Sequence, residues 1–318
     1  MGVQLVSKPD FKQTIKLNQT DMEQTTNQSE PLSHYQPIGM PVQNRSSRKG
    51  LNCGTLMIVI LLGILAAYFL TPFRTNFLLL GVDRTIENSD VGRTDTIIIT
   101  GVQPLRARIA MLSIPRDLWI DIPEVGENRI NTVHFFAEAN EPGSGPKAVM
   151  SVIRQQFNVN VRYYARLRLN EFPEMIDAMG GITLALDASN GIYQPGTYHL
   201  TGEEALAFVR NRSGSDDFFR MANAQLLLKA VIRQMLSPKG WIHIPAVISA
   251  SNRVIDTNIP FWLMPRLGLA LLRAGPDGID NRTLPREMIN PFTTSEGAQV
   301  LLPDWNQILP FVDEMFRH

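Results

Sequence analysis

A single cysteine among 318 residues, Cys53, excludes an internal disulfide framework. It stands before an apolar run and not after one, so it is not the cleavage cysteine of a lipoprotein signal. Net charge is missing too: 30 Lys and Arg offset 30 Asp and Glu. With no basic excess to neutralise a phosphate backbone, the chain is not expected to bind nucleic acid. His134, His199 and His243 are scattered without metal-ligand spacing, which argues against an imidazole zinc site. No serine sits in a nucleophile elbow and no histidine is placed to activate Ser113, so a covalent serine mechanism is not expected.

Two stretches are defined by what they lack. Residues 1–50 are poor in apolar side chains and rich in Gln, Asn, Thr and Ser, the composition of a tail that buries too little surface to fold. Residues 51–70 lack charge altogether and carry Leu56 to Leu70 as an almost unbroken apolar run. About 20 such residues cross a bilayer. Arg45, Arg48 and Lys49 precede the run and only Arg74 lies close after it. The positive-inside rule therefore puts the N-terminus in the cytoplasm and everything beyond about Phe73 outside, as a single-pass protein of the cell membrane. The run comes after a long polar segment and has no small-residue cleavage site, so it reads as an uncleaved signal-anchor in contact with the lipid bilayer.

Beyond the apolar run the chain is rich in strand signals. Phe77-Leu78-Leu79-Leu80-Gly81-Val82 leads into Asp83, Asp95 precedes Thr96-Ile97-Ile98-Ile99-Thr100, and Ile109-Ala110-Met111-Leu112-Ser113-Ile114 ends in Pro115-Arg116-Asp117. Apolar runs of this length bounded by Gly, Pro or charge are what buried strands look like, and their ends are rigid platforms for charged groups. Asp83, Arg93, Asp95 and Arg116 are expected to converge. Two carboxylates and two arginines suit a divalent cation together with a doubly hydrogen-bonded anion, as in a metal pyrophosphate. A structural ion-pair network at strand ends fits the same residues.

Strands and helices interleave, with helical patterns over Gly145–Phe157 and Asn170–Met179 and a strand at Ile182–Leu186 after the Gly180-Gly181 break. The expected fold is α/β, an α-β-α layered domain with a central mixed sheet covered by helices on both faces and one transmembrane helix before it. Leu118–Ile122 alternates like a hairpin partner exposed on one face. Thr201-Gly202-Glu203-Glu204 is a capping box that starts a helix reaching Arg210. Arg210 and Arg212 can share a ligand only if that helix stops at about Arg210, and Ser213-Gly214-Ser215 supplies a stop. Asp216 or Asp217 then caps a second helix carrying Met221, Gln225, Leu228 and Ile232. Further on, Trp241–Ile259 reads as irregular or short helical, Phe261–Ala274 and Asp304–Phe316 as helices, and Met288–Leu302 as a small hairpin.

Taken together, FLLLGVD, GRTDTIIIT, MLSIPRD, ENRINTVHFFAEA, MIDAMGGI, LTGEEALAFVRNR and DDFFR resemble, in order and spacing, the signature of the LytR-CpsA-Psr family of bacterial cell-envelope glycopolymer transferases. The likeness runs from about Asn76 to Met235. It implies a catalytic domain over 74–236, with 237–318 as a C-terminal extension packed on it. It also implies an enzyme that moves a polyprenyl-pyrophosphate-linked glycopolymer, such as a teichoic-acid-like or capsular polymer, onto a peptidoglycan hydroxyl and releases polyprenyl phosphate. Under this resemblance Asp83 and Asp95 hold Mg2+ or a similar cation, and Arg210, Arg212 and Arg220 surround the pyrophosphate opposite Arg93 and Arg116, the two arginines expected to act in the transition state. Arg129 stands where the family usually has lysine, and Asn223-Ala224-Gln225 where it commonly has Arg-Gln-Gln, so Gln225 is expected to take over that polar contact. A pyrophosphatase using water as acceptor, and a non-catalytic regulator that binds anionic lipid, are the competing functions.

Overall fold

A computed structural model describes residues 52–71, 73–84, 89–190, 192–211, 217–275 and 278–317. The polar tail 1–50, its basic flank and Arg212 to Ser215 lie outside the described residues. In chain order the elements are α1 (Cys53–Leu70), β1 (Thr75–Arg84), β2 (Gly92–Gln103), β3 (Arg108–Ile114), β4 (Trp119–Ile122), β5 (Gly126–Arg129), α2 (Thr132–Asn140) and α3 (Gly145–Phe157). Then come β6 (Tyr163–Arg168), α4 (Phe172–Ala178), β7 (Ile182–Leu186), β8 (Gly196–Leu200), α5 (Gly202–Arg210), α6 (Asp217–Leu236), α7 (Pro238–Trp241) and α8 (Ile244–Val254). The chain closes with β9 (Ile255–Thr257), α9 (Met264–Ala274), β10 (Ile279–Thr283), β11 (Ile289–Thr293), β12 (Gln299–Pro303) and α10 (Trp305–Arg317).

Six strands form one mixed sheet in the order β10-β3-β2-β1-β6-β9. β1 is antiparallel to β2 and parallel to β6, and β10 is parallel to β3. The central strands are apolar on both sides because both faces are covered. Leu78, Leu80, Ile97, Ile99, Leu112 and Ile114 pack with residues of α2, α3 and α10 such as Val133, Ile153 and Val312. On the other face Ile98, Val102, Ile109 and Met111 pack on Ala270, Leu267 and Leu271 of α9 and Leu228 of α6. A second apolar cluster lies where α4, α5, α6 and α8 meet the β7–β8 ribbon. Gly180 and Gly181 turn the chain from α4 into β7 with φ of 77° and 81°, a conformation a side chain would strain. The layered α/β architecture expected from the sequence is the one observed.

Two expectations need correction. The boundary at residue 236 cuts through the domain: β9 and β10, both from the stretch expected to be an extension, are the two edge strands of the main sheet. They escape a reading by apolar runs because Ile279–Thr283 is mostly polar and β9 has only three residues. Likewise, Trp119–Ile122 pairs with Gly126–Arg129 in its own ribbon and not with β3. Its outward residue Asp121 is exposed while Ile120 and Ile122 are buried, as its alternation requires.

α1 has 18 residues, none charged, and is long and apolar enough to cross a membrane. Its C-terminal end is tied to the domain. The Tyr68 hydroxyl donates to the Trp262 carbonyl. Arg266, buried on α9, donates to the carbonyls of Thr71 and Phe73.

Candidate active site

Alternation along β1 sets the site. Even positions Leu78, Leu80 and Val82 enter the core, and odd positions Leu79 and Gly81 line a cavity on the opposite face that leads to Asp83. Continuing the pairing Gly81–Thr96 without a break would set Asp95 opposite Val82, on the wrong face for meeting Asp83. The pairing jumps instead from Gly81–Thr96 to Val82–Thr94, leaving Asp95 as the extra residue of a β-bulge. The bulge re-aims the side chain, so Asp83 and Asp95 line one cavity of about 110 Å3. Thr96, Ser113, Leu169, Val209, Arg210, Arg220 and Ala224 complete most of its wall.

Within it the charges pair across elements. The Arg116 guanidinium donates to Asp95 Oδ1 at 2.7 Å. The Arg210 guanidinium donates to Asp83 Oδ1 at 2.9 Å and to Asn170 Oδ1 at 3.0 Å. Arg210 reaches that point because α5 ends there, with Asn211 as its C-cap. The helix begins with the capping box expected: Glu204 N–H donates to Thr201 Oγ1, and the Glu204 carboxylate accepts from Thr201 N–H. Thr201→Ala is expected to cost about 1 kcal/mol, read as a lower urea midpoint at unchanged slope.

The residues predicted from sequence divide into three groups. Asp83, Asp95, Arg210 and Arg220 are brought to one cavity, and Arg116 joins them through Asp95. Arg129 and Gln225 stand one remove away. Arg129 donates to the Gln299 carbonyl at 2.8 Å and pairs with Asp117, which also faces Arg116 at 3.6 Å. The Gln225 amide donates to Ser113 Oγ at 2.8 Å, and the Arg282 carbonyl and Thr283 Oγ1 lie within 3.2 Å of the same nitrogen. It locks α6 to β3 and β10 instead of lining the wall, where Ala224 and Met221 stand. Arg93 is exposed and outside the lining: it pairs with Asp83 in the β1–β2 register, two residues before the bulge residue Asp95 that stands in the wall.

Sequence reasoning missed Thr96 and Asn170, and although an apolar sheet-helix layer around a lipid tail was expected, its lining residues could not be named. Thr96, Leu169, Val209 and Ala224 also border a second cavity of about 250 Å3 on the same face of the sheet, lined otherwise by apolar side chains from β1, β2, β6 and α4 to α6, among them Leu79, Ile98, Leu167, Phe172 and Leu227. A charged chamber and an apolar one therefore share a wall. The alternation of Leu79, Gly81 and Asp83 was the signal available for this in the sequence.

Beneath the site, on the other face of the sheet, Arg166 of β6 is buried with Glu138 and His134 of α2. It pairs with Asp90 at 2.8 Å, Asp256 at 2.8 Å and Glu138 at 3.3 Å. Asp90 also receives Arg168. His134 Nδ1 donates to the Gly92 carbonyl at 2.9 Å, which leaves Nε2 as acceptor for Arg166 at 3.3 Å. That arrangement requires the neutral imidazole, and burial pushes its pKa below the ordinary value. The network holds Asp90 and Gly92, and so the start of β2 just before Asp95.

Among the described residues no three His, Cys, Asp or Glu side chains gather into a metal cage. The residues that would hold a cation here are the two carboxylates, each with one oxygen on an arginine. Hard oxygen ligands of that number suit a magnesium-type ion, which ordinarily completes its shell with phosphate oxygens and water.

Known proteins resemble this chain in sequence and in fold. Polyisoprenyl-teichoic acid--peptidoglycan teichoic acid transferase TagU of Oceanobacillus iheyensis is 36% identical over 190 residues, 58% of each chain. Regulatory protein MsrR of Staphylococcus aureus is 25% identical over 239 residues, 71% of this chain and 70% of its own. The solved structure of TagT bound to LIIa-WTA superposes with a TM-score of 0.61 at 17% identity, covering 79% of this chain and 96% of that one, a likeness of fold. The alignment with TagU thus spans under two thirds of that relative's length. The sequence model of the LytR_cpsA_psr family matches residues 72–315, from the end of the apolar helix through both edge strands to α10, and the chain belongs to that family.

Proposed function

We propose that this protein is a membrane-anchored phosphotransferase that moves a glycopolymer from a polyprenyl-pyrophosphate carrier to a peptidoglycan hydroxyl. The observation that carries this reading is the shared wall. A pyrophosphate with a long hydrocarbon tail needs a charged chamber opening directly into a dry one, and Thr96, Leu169, Val209 and Ala224 border both. The transferase named among the relatives and the complex of TagT with LIIa-WTA favour the same class of substrate. In this reading α1 crosses the membrane with the domain outside the cell.

Each site carboxylate neutralises an arginine, and all four side chains are 23–44% exposed. Ion pairs this wet are worth little in themselves, of order 0–1 kcal/mol. Phosphoryl oxygens can therefore replace the carboxylates on Arg116 and Arg210 at small cost, which releases Asp83 and Asp95 towards a divalent cation. That cation would neutralise charge on the bond to the leaving polyprenyl phosphate. Arg210 and Arg220, from α5 and α6, bind and orient the donor, and Arg116 is set by Asp95 to meet charge that grows in the transition state. No covalent intermediate is needed for such a reaction, since positioning and charge stabilisation supply most of the catalysis.

The test is a reconstituted assay with lipid-linked donor and a peptidoglycan oligomer. Transfer product, formed only with acceptor present, is expected. Phosphate release at the same rate without acceptor identifies a pyrophosphatase, and tight lipid binding without turnover identifies a non-catalytic binder. Ala224→Phe, which fills the shared wall, is expected to weaken binding of long-chain donors at least tenfold while donors with a truncated tail bind nearly as before. Equal losses for both would remove the apolar chamber from the mechanism.

A further inference from the structure

The end of the sheet opposite the active site carries a second assembly of charge, built from segments far apart in sequence. β1 starts there at Thr75, next to the end of α1. The β2–β3 turn lies alongside, because Thr75 pairs with Val102 and Gln103 with Arg108. Arg273 of α9 grips that turn from the other side, donating to the carbonyls of Pro104 at 2.9 Å and Leu105 at 3.3 Å. Arg74, Arg106, Arg108 and Arg273 are thus gathered where the chain leaves α1.

Burial, and then the charges of Arg108 and Arg106, push the Arg74 guanidinium below its ordinary pKa. Its Nε and Nη1 are inaccessible and have no hydrogen-bond partner among the described residues. Asp280 holds Arg108 at 2.9 Å but is shared with Arg282. Arg106 and Arg273 are exposed, so this end of the sheet presents positive charge to which an anion can bind.

Apolar groups surround the same point. Phe73 is 70% exposed, Phe261 86% and Trp262 53%, although the Trp262 backbone is fastened to Tyr68 of α1 and Arg266 fastens α9 to Thr71 and Phe73. Aromatic side chains at the exit point of an apolar helix, flanked by arginines, are the composition of a membrane-water interface.

We infer that this end of the domain is a second membrane contact, in which Arg106, Arg108 and Arg273, with the charge of Arg74 behind them, bind anionic phospholipid headgroups of the outer leaflet while Phe261 and Trp262 enter the interface beside α1. The inference rests on the reading of α1 as a membrane anchor with the domain outside. Continuity with the anchor selects the occupant: a surface fastened to Thr71 and Phe73 faces the leaflet that α1 has just crossed. Basic residues near an anionic leaflet are each attracted to it, and the attraction decays within a Debye length, so the contact is expected to depend on salt.

The experiment uses the full chain in proteoliposomes of phosphatidylcholine with increasing phosphatidylglycerol, monitored by hydrogen exchange over residues 104–108 and 258–264 and by quenching of tryptophan fluorescence with brominated lipid. Several-fold slower exchange in both segments is expected as phosphatidylglycerol rises, reversed at high salt. Quenching is expected to fall sharply in Trp262→Phe. Arg106→Glu, at an exposed turn position and with an unchanged circular dichroism melt as the check on folding, should abolish the phosphatidylglycerol dependence while transfer of a short-tailed donor persists. Exchange and quenching indifferent to phosphatidylglycerol in protein that resists alkaline extraction would overturn the contact and leave the anchor and the proposed activity standing. Loss of the protein into the alkaline wash would overturn the anchor itself. Protection produced only by a soluble anionic glycopolymer would assign the arginines to that ligand and sink the lipid reading.

Discussion

Asp83→Ala and Asp95→Ala are each expected to reduce transfer by about a thousandfold and to abolish its response to magnesium, with the melting temperature almost unchanged. The two halves of that outcome come from one geometry. Both carboxylates line the charged chamber, and each is paired with an arginine in a partly exposed setting, so their loss removes little stability. Their loss in the donor complex is another matter. A single preorganised group that meets developing charge is worth about 10²–10³ in turnover, and either variant also leaves Arg116 or Arg210 without the partner that positions it. Steady-state turnover titrated with Mg2+, alongside circular dichroism melts, checks both halves. If the magnesium response persists unchanged in both variants, the cation site is wrong. Arg93→Ala is the internal control: exposed and outside the lining, it is expected to lose far less than Arg116→Ala.

The largest expected effect on stability lies beneath the site. Arg166→Met should destabilise the domain by about 3–5 kcal/mol, because Glu138 would remain 4% exposed with the charge that balanced it gone. In a domain of this size that is a fall of about 10 °C in melting temperature. Glu138 also accepts from the backbone of Gly143 at 2.7 Å and Gly145 at 2.9 Å, so the α2–α3 connection should loosen with it. His134 adds a pH term. Its folded pKa lies below 6.5 and its unfolded value near 6.5, so below about pH 6.5 the unfolded chain takes up a proton that the folded chain refuses. Stability is therefore full above that pH and declines as pH falls, with a slope of at most about 1.4 kcal/mol per unit. Denaturant melts between pH 5 and 7.5 should show the slope, and His134→Asn should flatten it. A slope that survives the substitution belongs to another group.

How much of this was legible in the sequence depended on whether the signal was local. The β1–β3 runs, the capping box of α5 and the stop at Arg210 could be read because each is written within a few neighbouring residues. The bulge at Asp95 could not, since it is a property of the pairing of β1 with β2. Edge strands β9 and β10 bury one side at most and carry no apolar run, so the C-terminal region read as an appendage. Arg129 and Gln225 were recognised as polar groups near the cluster, but their partners Asp117, Gln299, Ser113 and Thr283 are set by tertiary packing. In the same way the sequence showed only Arg74 beyond the apolar helix, whereas the fold adds Arg106, Arg108 and Arg273 beside it.

β1 also works as a ruler. It leaves the end of α1 at Thr75 and delivers Asp83 to the site about 26 Å away, at ~3.3 Å of rise per residue. That is close to the thickness of a whole hydrocarbon layer, about 30 Å. On the reading proposed above, a donor whose pyrophosphate rests among headgroups would have to climb this height before it could react, and each methylene drawn through water on the way would cost about 0.8 kcal/mol. The apolar chamber beside Leu79 to Gly81 would lower that toll by giving the tail a second dry solvent, so that only the first few units of the carrier would need to leave the bilayer. The rest of a long polyprenyl chain stays behind in the leaflet as a tether. Enzyme and donor then search for each other in two dimensions, and chains too short to keep a foothold in the membrane should be captured slowly however well the site itself would bind them.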